Sequence, residues 1–441
     1  MKNLTEGNIY KTFILFAIPI VLTGLLSTAY NIIDSMIAGS YLGANALASI
    51  GCSASYVTLL TSLFWGYAGG ASLHGAVLFG AKDYVSLKES VINNVYLYLL
   101  LAIVTSALTL IFKGPIFSFL KVDPSVIKDA SVYFSIIIIF NFIIALNPFF
   151  AFTCHSLGMS SYPLKMSIIS TVINIGGNIL SVTVLHAGII GIAISSILAA
   201  FVVDVFYILK LKKCFSKLGV KDYKVKLNLK TIKDTVGYSV PVTIQQLIMY
   251  ISSFVVSPFI NIVGASATAA YDVSLKIYNI SAGIYQNSAK TLTNFTAQCI
   301  GAQKYDKIQK GLKVGFLQGI ALLTPVLVLS VIFAKSICQM FFPKGYTGDA
   351  LKFSIIFVKY VMPFLYVNMI NNLFHSFFRG VKAMKFLLFF TALGSLSRII
   401  ATVILSPKYG IYGVYAGWVV SWIIEAVFAF VAYLSNGWKT Y

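Results

Sequence analysis

Twelve long apolar runs, separated by short polar or basic stretches, cover nearly the whole chain. They lie near residues 12–38, 46–79, 90–112, 130–152, 164–185, 188–210, 236–263, 268–300, 310–337, 352–375, 385–406 and 411–435. Each is long enough for a helix across a bilayer, which needs about 20 mostly apolar residues. They are too long and too uniformly apolar to be barrel strands, so helices that satisfy their own backbone groups are expected. The pattern predicts an all-α integral membrane protein with twelve transmembrane helices.

The pattern also repeats. FAIPIVLTGLLSTAYNIIDSMIAGSYLGANALASI in the first part matches YSVPVTIQQLIMYISSFVVSPFINIVGASATAAYD after the sixth run. Pro19 aligns with Pro241, Gly43–Ala44 with Gly264–Ala265, and GAKDY with GAQKY. The predicted organisation is an N-terminal six-helix lobe over 1–213, a basic cytoplasmic linker over 214–233 and a C-terminal six-helix lobe over 234–441. An even number of spans per half gives both halves the same topology, related by a pseudo-two-fold axis along the membrane normal. Repeats of this kind place a substrate pathway at their interface and work by rocking one half against the other. That favours a secondary transporter over an anchor or a membrane enzyme.

Composition supports the membrane assignment: 58% of residues are hydrophobic and 10% charged, against about a quarter charged in soluble domains. A net charge of +20 would suggest a nucleic-acid partner in a soluble protein. Here the lysines fall in short loops, so no nucleic acid is expected. KLKKCFSKLGVKDYKVKLNLKTIKD, KDYVSLKES, GAQKYDKIQKGLK and RGVKAMK lie on one side, while SYLGAN, HAG, VGAS and SPKYG carry almost no basic residues. The positive-inside rule then puts both termini in the cytoplasm of a cell with this protein in its plasma membrane. The five scattered cysteines suggest neither a zinc site nor a disulfide framework. The first run is too long for a cleavable signal peptide and no A-x-A site follows it. Without a GxxxxGK[ST] loop, a gradient is the expected energy source, with no cofactor and a monomer as the working unit.

Polar residues inside the runs mark the candidate chemistry. Thr23, Ser27, Tyr30 and Asn31 share a helix face with Asp34, and Pro19 should bend the helix below it. Four carboxylates fall within the runs: Asp34, Asp204, Asp272 and Glu425. Asp204, about two turns before Lys210, reads as interfacial or structural. Asp272 has Lys276 at i+4, the spacing of an ion pair. Asp34 has no basic neighbour on its own helix, and an acid inside a bilayer is by default a functional residue. It is expected to be a proton or coupling-ion site; the competing reading is an acid near the outer headgroups that bonds a neighbouring helix.

Asn174 and Asn178 lie one turn apart on a polar stripe with Ser167, Thr171 and Ser181. They are spaced to offer carbonyl oxygens to a cation or bonds to Asp34, with glue between helices as the alternative. Ser195 and Ser196 read as small packing residues. The second half is polar with the opposite sign: Lys290 sits amid Gln286, Asn287, Thr293 and Asn294, and Lys276, Lys359 and Arg398 also fall in runs. A wet cavity is expected there, with some bases snorkelling or pairing with Asp272 and Glu425. Gln245 and Gln246 read as cavity lining or helix–helix bonds. Gly311, Gly315 and Gly319 form a tandem GxxxG that predicts close packing. The four histidines are isolated and suggest no role.

LTEGNIYKTFILFAIPIVLTGLLSTAYNIIDSMIAGSYLGANALASIG resembles the multidrug and toxic compound extrusion (MATE) family, in a DinF-like branch. So do INIGGNILSV, AGIIGIAISS, AAYDVSLKIYNIS, TAQCIGAQKYDKIQKG, FFRGVKA, SRII and YGIYGV, and the resemblance covers essentially the whole chain. It implies proton- or sodium-driven antiport of small organic compounds by two six-helix lobes forming a V-shaped cleft. Asp34 matches the first-helix aspartate that takes up the coupling cation, with Pro19 as the bending proline. Asn174 matches the fifth-helix asparagine beside it, and Ser196 stands where members often have threonine. Asn178 departs from the family's N-x-x-x-D, which weakens a sodium site at Asp34, Asn174 and Asn178 and leaves proton coupling the simpler expectation. The glutamate of the NorM-like branch is absent after Pro241, where Gln245 and Gln246 stand. Cleft candidates are then Tyr30, Asn31, Gln245, Gln246, Lys276, Gln286, Asn287, Lys290 and Arg398, with membrane lipid around them. The runner-up is a lipid-linked precursor flippase of the same superfamily. No convergent His/Asp/Glu set or extramembrane domain supports an enzyme or a receptor.

Overall fold

With no water to bond backbone groups in lipid, long apolar runs must close their hydrogen bonds within themselves. The chain accordingly folds as helices throughout the computed structural model. It describes residues 1–120 and 124–439, without the side chains of Asn31, Ser35, Ala44, Asn45, Leu47, Cys52, Ser53, Ala54 and Ser55. Asn31, one of the cleft candidates, thus lies outside the described residues.

Among the described residues sixteen α-helices follow one another: α1 (Ile9–Ile37), α2 (Ala44–Gly80), α3 (Tyr84–Ile111), α4 (Lys113–Phe119), α5 (Ile127–Ile139), α6 (Asn141–Ser156), α7 (Ser161–Thr183) and α8 (Gly188–Lys217) come first. Then come α9 (Leu229–Val263), α10 (Ala265–Gly301), α11 (Asp306–Ile332), α12 (Ala334–Gln339), α13 (Asp349–Ile356), α14 (Leu365–Gly380), α15 (Met384–Tyr409) and α16 (Ile411–Leu434). Among the described residues, nine spans are long and apolar enough to cross a membrane, and α5 with α6 makes a tenth if counted as one span bent by 52°. The 37-residue helices α2 and α10 fill the two remaining places. Helix α10 is the more polar of the two, carrying Asp272, Lys276 and Lys290.

Several of these spans are modified by identifiable residues. Between α13 and α14 a π-turn (Phe357–Val361) and a 3₁₀ turn (Met362–Phe364) interrupt the α-helix. Pro363 sits in that break, where its missing N–H makes a continuous ladder impossible. Helix α1 runs through Pro19, and the Thr23 hydroxyl donates to the Pro19 carbonyl at 2.7 Å.

The duplication is written in the backbone. Gly43 and Gly264, at φ 85° and 121°, each precede the second span of a half, in a region open to glycine. After that span, Lys82 and Gln303 both take the left-handed conformation, at φ 60° and 56°. Each half also carries a short helix, α4 or α12, after its third span. The tandem GxxxG packs as expected: a Cβ on Gly311 would meet Phe295 at 2.4 Å, and one on Gly319 would meet Met369 Sδ at 2.6 Å.

The chain divides into two units, Met1–Asn3 with Leu25–Thr243, and Leu4–Gly24 with Ile244–Tyr441. Helices α1 and α9 therefore contribute to both. In the first unit an aromatic core runs through Phe64, Tyr98, Phe134, Phe149, Phe150 and Tyr207. The Tyr98 hydroxyl inside it donates to the Phe64 carbonyl at 3.1 Å. The basic linker is strapped to the start of α3. Lys88 Nζ donates to the carbonyls of Val220, Lys221 and Tyr223 at 2.8, 3.0 and 2.7 Å. Glu89 accepts from Tyr223 at 2.5 Å and from Asn228 at 2.8 Å, and the first of these bonds pushes the Tyr223 phenol up from its ordinary pKa. The second unit has its own aromatic core, in which Trp418 meets Tyr278 edge-on at 4.8 Å.

Candidate functional site

In the first unit, α1, α7 and α8 bring together five polar side chains that the sequence singles out. Helices α7 and α8 can approach because two residues lack side chains. A Cβ on Gly177 would meet Ser195 Oγ at 2.9 Å, and one on Gly191 would meet Ser181 Cβ at 2.5 Å. That approach sets the α7 asparagines against Ser196. Asn174 Nδ2 donates to Ser196 Oγ at 3.0 Å, and Asn178 Nδ2 to Asn174 Oδ1 at 3.1 Å. Asn178 Nδ2 also donates to Asp34 Oδ1 in a short hydrogen bond. The Tyr30 hydroxyl reaches Ser196 Oγ at 3.5 Å.

Both asparagines are fully buried, and Asn178 Oδ1 has no hydrogen-bond partner. A buried carbonyl oxygen without a donor costs free energy, about 1–3 kcal/mol by mutational measures. It is therefore an acceptor in waiting, one amide away from the carboxylate. One turn further along each helix the polar layer is capped by a dry one: Ala38, Val182 and Ile192 form a buried cluster with Leu42, Ile50 and Tyr133 against it. Tyr133 on α5, packed against that dry layer, also lies near Asp34 and Tyr30. Sequence reasoning missed Tyr133; a tyrosine in the apolar run YFSIIII was the available signal.

Asp34, Asn174, Asn178, Ser196 and Tyr30 thus form one cluster. Ser196, read from sequence as a packing residue and given a site role only by resemblance, is its central acceptor. Asp204 departs from its interfacial reading: it is buried and both its carboxylate oxygens lack a partner, while Lys210 lies over the Tyr162 ring at 5.0 Å.

The second-unit candidates do not form one cluster. Gln245 is fully buried and bonds helix to helix, donating to Thr391 at 3.1 Å and accepting from Arg379 Nε at 2.9 Å. Gln246 and Gln286 are half-buried. Lys290 donates to Asn287 Oδ1 at 2.8 Å, and Asn287 fits there because Gly24 has no Cβ, which would stand 2.1 Å from Asn287 Nδ2. The expected Asp272–Lys276 ion pair does not form: both residues are exposed, and Lys276 lies over the Phe341 ring at 5.8 Å. Four residues apart is a permissive spacing, and side chains turned to the outside prefer solvation to pairing. Arg398 does not pair with an acid either. It donates to Ser253 and to Tyr271 at 3.1 and 3.0 Å and stacks on Trp418 at 4.8 Å. Sequence reasoning missed Arg379 and His375, which the next contacts make central. His375 Nε2 lies 2.9 Å from Glu425 Oε1, so Glu425 pairs with histidine rather than with lysine or arginine. Among the described residues no three His, Cys, Asp or Glu side chains are grouped to hold a metal ion.

Twelve helical spans in two units, with a carboxylate bonded to a buried amide inside one of them, define a multi-pass membrane transporter. The chain belongs to the MatE family, whose model matches residues 19–180 and 241–404. It is 28% identical over 354 residues to "Probable multidrug resistance protein YoeA" of Bacillus subtilis (strain 168), covering 76% of this chain and 74% of that protein. It is 24% identical to "Probable multidrug resistance protein YpnP" of the same strain, over 99% of this chain and 97% of that one. A solved structure described as the outward-facing conformation of a multidrug resistance MATE family transporter superposes with a TM-score of 0.90 at 18% identity, covering 100% of this chain and 99% of that one. The fold is that of MATE transporters.

Proposed function

We propose that the protein exports small organic compounds across the plasma membrane in exchange for protons, by alternating access, with Asp34 as the proton-carrying carboxylate. The observation that carries this reading is the unpartnered Oδ1 of Asn178 beside Asp34. As a carboxylate, Asp34 accepts from Asn178 Nδ2. As a neutral acid it gains an O–H, and a small rotation offers that hydrogen to Asn178 Oδ1. Each protonation state thus has a partner on the same amide, so the cluster can hold both. Pro19 leaves one backbone carbonyl of α1 without its helical donor, which makes the helix easiest to bend there. A bend that followed the charge of Asp34 would couple proton uptake to the path of the substrate. The multidrug names of YoeA and YpnP support organic compounds as that substrate.

Sodium is the second coupling ion that the donor set admits. Asp34, Asn174 Oδ1, Asn178 Oδ1 and Ser196 Oγ are hard oxygens of the kind such cations take. A single carboxylate gives the proton the stronger case. The flippase reading draws on Arg379 and Arg398, which are bonded to Gln245, Ser253 and Tyr271 rather than to acids and so suit an anionic headgroup.

The test is efflux of a cationic and an anionic dye from proteoliposomes under an imposed proton or sodium gradient. Proton-driven efflux of the cationic dye, abolished by Asp34→Asn in protein of unchanged melting temperature, is the expected result. Full transport by Asp34→Asn overturns the role of Asp34, and sodium-driven efflux replaces the proton. Movement of the anionic dye alone favours the flippase.

A further inference from the structure

The segment between α8 and α9 is the most basic loop of the chain, and it is also held in one shape. Lys221, Lys224, Lys226, Lys230 and Lys233 are all exposed, against a single acid, Asp222, in the same stretch. Among the described residues none of these lysines is in an ion pair. The backbone beneath them is fixed from α3. Lys88 holds the carbonyls of Val220, Lys221 and Tyr223, and Glu89 accepts from Tyr223 and Asn228. Asn93 Nδ2 adds a bond to the Lys226 carbonyl at 3.2 Å.

Two leucines stand among these lysines and face outward: Leu227 is 72% exposed and Leu229 73%. Asn228, between them, keeps them there. Its Nδ2 donates to Glu89 Oε2 at 2.8 Å, and its Oδ1 accepts from the N–H groups of Lys230 and Thr231 at 3.1 and 3.2 Å, which caps the start of α9. With Asn228 turned in, the side chains before and after it turn out. Their depth follows from Asn93, which lies three residues inside the third apolar run, near residue 90 at its start. The bond from Asn93 to Lys226 sets Leu227 beside the end of a membrane span. Exposed apolar side chains flanked by lysines at that level match acyl chains on one side and headgroups on the other.

We propose that residues 221–230 form a docking surface for anionic phospholipid headgroups of the leaflet they face, with Leu227 and Leu229 inserted at the edge of the acyl chains. Topology alone calls for lysines on this side of the membrane, in any arrangement. It does not call for leucines held outward between them. A cluster of lysines next to a span attracts a negatively charged leaflet. The hydrogen bonds to α3 hold the segment in shape beforehand, so little ordering is lost on docking. A zwitterionic headgroup carries its own cation beside the phosphate and competes with the lysines, so the surface should prefer lipids of net negative charge. Because the segment leads directly into α9, docking also fixes the level at which that helix enters the bilayer.

The surface rests on neither the coupling ion nor the transported compound, and its test needs no transport. The full chain is placed in lipid nanodiscs with Leu227→Trp as the reporter and the natural chain, with its four tryptophans, as the blank. The added emission should be blue-shifted and quenched by phosphatidylglycerol brominated on its acyl chains. Phosphatidylcholine brominated in the same way should quench it less, and Lys221→Gln, Lys224→Gln and Lys226→Gln combined should erase the difference between the two lipids. If Leu227→Trp does not fold, amide hydrogen exchange over residues 221–227 of the natural chain decides, being slower in phosphatidylglycerol than in phosphatidylcholine. Emission typical of tryptophan in water in both lipids overturns the proposal. Equal quenching in the two overturns it as well, since the leucines would then insert without any reading of charge. Shielded emission that neither lipid quenches would give the surface to a protein, a second copy of this chain included, and overturn it too.

Discussion

The first unit surrounds one carboxylate with neutral amides and a hydroxyl, whereas the second surrounds one carboxylate with histidine and arginine. Asp34 bonds to Asn178, while Glu425 bonds to His375 and its network ends on Arg379. The backbones still show their common origin, in the matched glycines 43 and 264 and the left-handed residues 82 and 303. Duplication has kept the turns and let the interiors diverge. The difference also predicts how each interior fails. A carboxyl group can shed its charge by taking a proton, but a guanidinium cannot lose its own.

The largest effect should therefore come from the second unit. Gln245→Leu leaves two guanidinium donors of Arg379 without an acceptor in a buried site. Hydrogen bonds to charged groups contribute about 1.5–3 kcal/mol, and the stranded charge pushes the cost to the upper end. The matched change in the first unit, Asn178→Leu, should cost less, since Asp34 can protonate. Thermal unfolding of the two variants side by side measures this. Equal losses would mean that the two interiors do not differ as described.

A smaller effect, on the architecture beneath the first site, comes from neighbouring glycines. Gly191→Ala sets a methyl 2.5 Å from Ser181 Cβ, so α7 and α8 must part. Overpacking of this kind costs about 1–3 kcal/mol. Gly176→Ala meets nothing within 4 Å and should gain about 0.8–1 kcal/mol of helix propensity. Opposite shifts in melting temperature, with coupled efflux lost in Gly191→Ala alone, would tie the geometry of Asp34 to the α7–α8 contact. A neutral Gly191→Ala would cut that link.

These contrasts also show what a sequence can carry. Asp34, Asn174 and Asn178 were legible because helical periodicity puts each on a polar face, and the face is a local property. The pairing of halves was legible because turn residues repeat. His375 was not, because its meaning lies in Glu425, fifty positions away on another helix. The Asp272–Lys276 spacing misled for the same reason, since spacing says which residues share a face but not which way the face points. The break between α5 and α6 falls at Phe140, with no proline at the break to announce it.

The finest distinction concerns the ion itself. Asn178→Asp would add a second carboxylate against Asp34, restoring the N-x-x-x-D that this chain lacks. Two carboxylates in contact cannot both stay ionised without a counter-charge, so the variant must either hold a proton between them or admit a cation. Sodium should then raise the melting temperature of Asn178→Asp while leaving the natural chain unmoved. The gain is small, about 0.4 kcal/mol when sodium equals its Kd, because ligand stabilisation grows only as RT ln(1 + [L]/Kd). Lithium or potassium in place of sodium tells a built site from ionic strength, which all three change alike. A sodium response in the natural chain would mean that Asp34 with three neutral oxygens already suffices, and proton coupling would lose its main argument. A response in neither would mean that the proton shared by the two acids outcompetes sodium, and the first unit would remain a proton site even with its charge doubled.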